Sequence, residues 1–127
     1  MSFEILREVR DAFINDANIT ALVPATKIRV GWQESVTTFP SIIISTVTET
    51  ETGQLGYAHN KRKAVLTTIQ VDILSRKSLQ NAVEIADAVS QCMLELGWEK
   101  VGDLDTFDTL MKCHRKTLRF SSIRYVE

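Results

Sequence analysis

The chain has 127 residues, 44% of them hydrophobic and 24% charged, and its formal net charge is −1. That length accommodates one hydrophobic core, so a single domain over residues 1–127 is expected, and the composition is that of a globular chain rather than a disordered one. A net charge so close to zero excludes a global field that would draw the molecule to nucleic acid or an anionic membrane.

No run approaches the roughly 18 to 20 apolar residues of a bilayer-crossing helix, and MSFEILREVRDAF mixes charges into its apolar positions as a secretory signal does not. A cytosolic site of synthesis and no membrane partner are therefore expected. The first segment, SFEILREVRDAFIND, sets Phe3, Leu6, Val9, Arg10 and Phe13 at helical spacing, with Ile5 and Ile14 widening the stripe and Ser2 available as an N-cap. It predicts an amphipathic helix ending near residues 15–18. Pro24 closes the following ITALVPAT, a turn with room for a brief helical piece.

KIRVGW alternates Ile28, Val30 and Trp32 against Lys27, Arg29 and Gly31, the two-residue period of a half-buried strand. FPSIIISTVTETE follows, an extended β-branched run after Pro40 in which Ile42, Ile44 and Val47 are expected to be buried. Residues 49–63 then lack periodicity and carry turn glycines, which predicts a long loop between two antiparallel strands. The second of these strands, KAVLTTIQVDILS, places Val65, Thr67, Ile69, Val71 and Ile73 on one face and Leu66, Thr68, Gln70 and Asp72 on the other.

Residues 78–96 carry the strongest pattern of the chain: Ala82, Ile85, Ala86, Val89, Cys92, Met93 and Leu96 recur at i, i+3, i+4 and i+7, and Gly97 supplies a stop. Burying Ile85, Val89, Met93 and Leu96 at about 1.5 to 3 kcal/mol each gives roughly 6 to 12 kcal/mol gross, so packing against a sheet holds this helix. Residues 98–111 read as acidic and irregular, with a short strand over residues 98–101. In the closing strand Leu118 and Phe120 share one parity and Ile123 and Tyr125 the other, which predicts a bulge near Ser121 and Ser122. The fold class expected is α+β: an antiparallel or mixed sheet of about four to five strands, two main helices on one face, and a long projecting loop.

Catalytic equipment is hard to find in this order of residues. The two histidines, His59 and His114, sit in charged surroundings without a second His or Cys at ligand spacing, which favours solvated or hydrogen-bonded roles. Gly53 and Gly56 lack the third glycine and following helix of a dinucleotide loop. Asp103 with Asp105, or Asp105 with Asp108, pairs acids without a calcium-loop pattern. Cys92 and Cys113 lie far apart and are expected to be small core residues, with no disulfide and no zinc site. No catalytic, cofactor or metal residue is assigned.

Charge order says more than total charge. Residues 84–108 hold seven acids and one base, Lys100, whereas residues 112–124 hold five bases and no acid. Opposed patches of this kind serve a head-to-tail contact between identical subunits, with Asp103, Asp105, Asp108, Lys112, Arg115 and Lys116 as interface charges, or else neutralise each other inside one subunit. Residues 49–63 divide similarly, Glu49 and Glu51 before and Lys61, Arg62 and Lys63 after Gln54, Leu55, Tyr57 and His59. Those charges pair across a hairpin, or the segment meets a partner, for which its length beyond an ordinary hairpin connection argues.

The order of elements, together with FPSIIIS, KAVLTTIQVDILS, the helix SLQNAVEIADAVSQCMLEL and the closing TLRFSSIRYV, resembles the tail-completion and tail-terminator proteins of long-tailed bacteriophages over about residues 5–126. The resemblance implies a small α+β subunit of a hexameric ring at the head-proximal end of the tail. Such a ring ends growth of the tail tube and joins it to the head connector, so the implied partners are identical subunits, tail-tube protein and connector protein. DNA would pass through only in transit. The implied location is the virion, and the host cytoplasm during assembly; residues 49–63 correspond to the family's projecting contact loop. Alternatives kept open are a head-side connector, neck or other minor tail protein; a small-ligand domain using Tyr57, His59 or His114; and a nucleic-acid binder using Lys112, Arg115, Lys116, Arg119 and Arg124.

Overall fold

A computed structural model describes residues 2–31, 39–51 and 63–126. Helix α1 runs Ser2–Ile14, beginning at the residue expected to cap it, and a short α2 (Ala17–Thr20) follows. Asp16 caps α2, its Oδ1 accepting the backbone N–H groups of Asn18 and Ile19 at 2.9 and 3.3 Å. A 3₁₀ turn at Ala25–Lys27 leads into β1 (Ile28–Val30). The remaining elements are β2 (Ser41–Glu51), β3 (Lys63–Ser75), α3 (Leu79–Glu95), β4 (Glu99–Asp108) and β5 (Cys113–Val126). The Phe39–Pro40 peptide before β2 is cis.

Among the described residues the strands form one mixed five-stranded sheet of order β1-β2-β3-β5-β4, with β1 parallel to β2 and the other neighbours antiparallel. The helices pack on the face built by Ile42, Ile44, Ile69, Val71, Ile73, Leu118 and Phe120. Against it α1 sets Leu6, Val9 and Phe13, and α3 sets Ala82, Ile85, Ala86, Val89, Cys92 and Met93, all buried. This is the α+β arrangement the periodicities predict. Ser78 caps α3 by accepting the N–H of Asn81 at 3.0 Å, and Gly97, at φ +90°, ends it in a conformation that favours glycine.

Four local expectations are corrected. Leu96, read as core, is the exposed C-cap of α3, which leaves Ile85, Val89 and Met93 to contribute about 4.5 to 9 kcal/mol gross. Val47 is exposed because the pairing of β2 with β3 shifts between Thr46 and Thr48, setting Val47 in a bulge. No bulge occurs at Ser121 and Ser122, which pair in unbroken register with Thr68 and Thr67; Ile123 simply lies on the face opposite Leu118 and Phe120. Residues 99–108, expected to be mostly irregular, form a ten-residue strand whose bulge falls between Lys100 and Gly102.

Candidate functional site

On the face away from the helices, β3 and β5 present alternate residues and build a polar chain across the sheet. Arg119 Nε donates to Gln70 Oε1 at 3.2 Å, and Gln70 Nε2 donates to Asp72 Oδ2 at 2.8 Å. Asp72 Oδ1 also accepts Arg115 Nε at 3.0 Å and Thr117 Oγ1 at 2.7 Å. The Asp72 side chain is 0% exposed. A buried carboxylate is tolerated only when its oxygens are satisfied, and this one takes three donors. Slipping β3 against β5 by one residue would point Asp72 into the apolar core, so the chain of contacts pins the register. Beside it Ile43, Leu74 and Cys113 form a second small core with Phe39 and Met111 against them, and Arg76 lies 4.1 Å over the Phe39 ring.

The acidic and basic segments come together as neighbouring strands. Asp105 pairs in register with Lys116 and Asp103 with Leu118, and Lys116 Nζ reaches Asp103 Oδ1 at 2.7 Å and Asp105 Oδ1 at 2.8 Å. Lys100 adds a longer contact to Asp103 at 3.5 Å. Burial pulls the Lys116 ammonium down, but the hydrogen bonds it donates to Asp103 and Asp105 and the charges of those acids outweigh it and leave its pKa raised. For Asp103 burial pushes up, while the hydrogen bond and charge of Lys116, helped by Lys100, hold the carboxyl below its ordinary value. The Lys116 ammonium thus stands where a cation between these two acids would sit.

The other charges expected at an interface have local tasks as well. Arg115 serves Asp72, and Asp108 Oδ1 accepts the N–H groups of Leu110 and Met111 at 3.0 and 2.9 Å, closing the turn into β5. Lys112 sits in that turn at φ +52°. Of the residues expected to contact partners through the loop, Glu49 and Glu51 are among the last residues of β2 and Lys63 opens β3, where the expected strands end and begin. Gln54, Leu55, Tyr57, His59, Lys61 and Arg62 lie outside the described residues, as does Trp32. His114 packs edge-on against Phe107, ring centroids 5.2 Å apart. Among the described residues, no group of three or more His, Cys, Asp or Glu side chains is placed to hold a metal ion. Both cysteines are free and buried; burial, aided by Asp16, pushes the Cys92 thiol up to about 11, and burial likewise raises Cys113.

A feature the sequence reading missed is where apolar surface is left in water. On β4 Val101, Leu104 and Phe107 are 55%, 59% and 55% exposed, and Leu110 in the next turn is 94% exposed. Leu94 and Leu96, at the end of α3, are exposed too. Next to them Ser90, Leu94, Gly97, Trp98 and Phe120 line a shallow, mostly apolar groove of about 420 Å³. Large apolar side chains concentrated at one sheet edge mark an interaction surface. The legible signal was the set of uncompensated apolar residues Leu104, Phe107 and Leu110 within an acidic stretch that has no buried face.

No family model matches the sequence and no curated protein matches it. Among solved structures the fold is similar to a chain of the virion of a native gene transfer agent particle, with a TM-score of 0.70 at 14% identity, covering 93% of this chain and 92% of that one. At that identity the likeness is one of fold.

Proposed function

We propose that the chain is a structural virion subunit that assembles into a six-membered ring at the head-proximal end of a phage or phage-like tail, ending the tail tube and joining it to the head connector. The observation that carries this reading is the near full-length fold likeness to a chain of a gene transfer agent virion. It is supported by the β4 edge, which has no neighbouring strand among the described residues and exposes Val101, Leu104 and Phe107, since such an edge is a template for pairing with another chain. The acids and bases most suggestive of chemistry are engaged in holding the sheet: Asp72 with Arg115, and Asp103 and Asp105 with Lys116. On this reading the protein is not an enzyme, takes no cofactor and meets DNA only as it passes.

Negative-stain imaging and native mass spectrometry of the purified protein, alone at high concentration and mixed with isolated tail tubes, test the proposal. A six-fold annulus, free or seated on tube ends, is the expected result. A protein that remains monomeric and binds no tube end would refute it. Seating on the head-side connector without any affinity for tubes would move the subunit to the neck.

A further inference from the structure

We infer that, in the subunit off the tail, the edge of β4 is closed by the same edge of a second copy: residues 104–108 of the two strands pair antiparallel about a two-fold axis at Thr106, and one sheet runs through both copies. β4 ends the strand order and has no outer neighbour among the described residues. Its acids are balanced within their own copy, Lys116 holding Asp103 and Asp105 at 2.7 and 2.8 Å and Lys100 reaching Asp103 at 3.5 Å. The edge therefore does not call for a basic partner. The other edges of a second copy fit less well. That of β1 is engaged, because Arg10 Nε donates to the Ile28 carbonyl at 2.9 Å. Alongside β2, a strand as long as β4 would run into β1, which already pairs with Ile42, Ile43 and Ile44.

Charge selects the register. A two-fold axis perpendicular to the sheet keeps like faces together, so one residue of β4 must stand opposite itself. Centring on Glu99, Lys100, Asp103, Asp105 or Asp108 sets that charge against its own copy. Centring on Val101 sets Glu99 against Asp103, on Gly102 Glu99 against Asp105, and on Leu104 Asp103 against Asp105. Centring on Phe107 pairs only 106–108 and leaves Leu104 uncovered. Thr106 remains. About it Thr106 meets its own copy, Asp105 meets the partner's Phe107, and Leu104 meets the partner's Asp108, with no like charges opposite.

Cover and access agree with this register. Asp103 pairs with the core residue Leu118, so Asp103, Asp105 and Phe107 lie on the helix side of β4 and Leu104, Thr106 and Asp108 on the open side. All but Asp108 are exposed, which leaves room for a second strand beside them on both faces. On the helix side the two Phe107 rings come diagonally across the axis, each already edge-on to its own His114. On the open side Leu104 is covered by the partner's strand, where the facing carboxylate of Asp108 is turned back onto the N–H groups of Leu110 and Met111. Beyond Asp108 the chain turns away into β5, so the paired segment ends there. The outward backbone groups of both edges are satisfied. A two-fold pair closes on itself and is not a neighbour contact of a ring with a single rotation axis, so it goes beyond the ring reading and stands independently of it.

Sedimentation and disulfide trapping of the purified protein without tail tubes test the pair. The wild-type chain should sediment as a dimer. Thr106→Cys alters an exposed side chain and should give a reducible covalent dimer on oxidation, while Leu104→Cys, far from its own copy in this register, stays monomeric on a non-reducing gel; the native Cys92 and Cys113 are buried and stay out of the exchange. Faster trapping through Leu104→Cys than through Thr106→Cys would overturn the register. A wild-type monomer at high concentration, or a dimer that neither variant traps, would overturn the pair while leaving seating on tube ends untouched. As a second readout, Leu104→Lys with Phe107→Lys changes only exposed side chains, so the thermal unfolding midpoint of the monomer at low concentration should hold while dimer affinity falls at least tenfold. Undiminished affinity would also overturn the pair. Failure of the protein to seat on tubes, with the Thr106→Cys dimer intact, would count against the ring alone.

Discussion

Replacing Asp72 by Ala tests whether the polar chain on the open face holds the sheet. The substitution strips Arg115, Thr117 and Gln70 of a shared acceptor in a position with no solvent exposure. Removing one partner of a buried charge pair costs about 3 to 5 kcal/mol. Arg115 is 29% exposed and can turn its guanidinium towards water, so about 2 to 4 kcal/mol is expected here. Arg115→Met leaves the carboxylate itself stranded and should cost about 3 to 5 kcal/mol. Against a total of about 6 to 19 kcal/mol for a domain of this size, either change is a large fraction. The double variant removes both charges together, so its cost should fall at least about 2 kcal/mol short of the sum of the singles. Urea unfolding followed by the fluorescence of buried Trp98 reads all three values. A cost below about 1 kcal/mol for Asp72→Ala, or additivity within about 0.5 kcal/mol, would refute the claim that this contact is closed and structural.

The Lys116 clamp gives a pH signature. Asp103 has a lowered folded pKa, so its contribution is complete above its unfolded value of about 3.9 and is lost as pH falls through the folded one. Lys116 has a raised folded pKa, so its share is complete below about 10.4 and is lost as pH rises through the folded value. Because both acids are substantially exposed, Lys116→Met should cost only about 0.5 to 1 kcal/mol at pH 7, a difference that shrinks in urea titrations at pH 3; a pH-independent difference would contradict the assignment. Ser78→Ala should destabilise the protein by about 1 kcal/mol through loss of the α3 cap, with Ser78→Asp near neutral, checked by urea titration. Neither Cys92, with its pKa near 11, nor Cys113 should react with a thiol reagent within minutes at pH 8 in the native protein, and both should react in urea; fast native labelling would show that the core opens.

Periodicity made the helix-backed layer readable, because α1, β3 and α3 each turn one apolar face to the core between helices and sheet, and that burial imposes a period on the sequence. The same reasoning misjudged β4, and for a physical reason: a strand exposed on both sides, held to β5 by backbone bonds and ion pairs rather than by a buried apolar face, leaves no alternation to detect. Val47 and Leu96 failed because a bulge and a helix end interrupt the period where an apolar letter happens to continue it. The opposition of acids and bases was visible in the order of charges. Their adjacency in space was not, since it depends on β4 and β5 being neighbours. Asp72 looked like an ordinary solvent-facing residue of an alternating strand, and only the register with Thr117 and the reach of Arg115 and Gln70 reveal its burial.

Strand β5 follows β4 along the chain yet lies between β3 and β4 in the sheet. Until it has left the ribosome, β4 has no mate, and the apolar side of β3 is flanked only by β2. The sheet cannot close by growing outward from its earliest strands; it must admit its final one into an interior slot. Such a sheet is expected to form only once β5 has been made, and comparatively slowly for its size, with chaperone contact concentrated in the interval before that insertion. A stop codon anywhere between residues 113 and 120 should therefore yield an aggregating product rather than a shortened subunit.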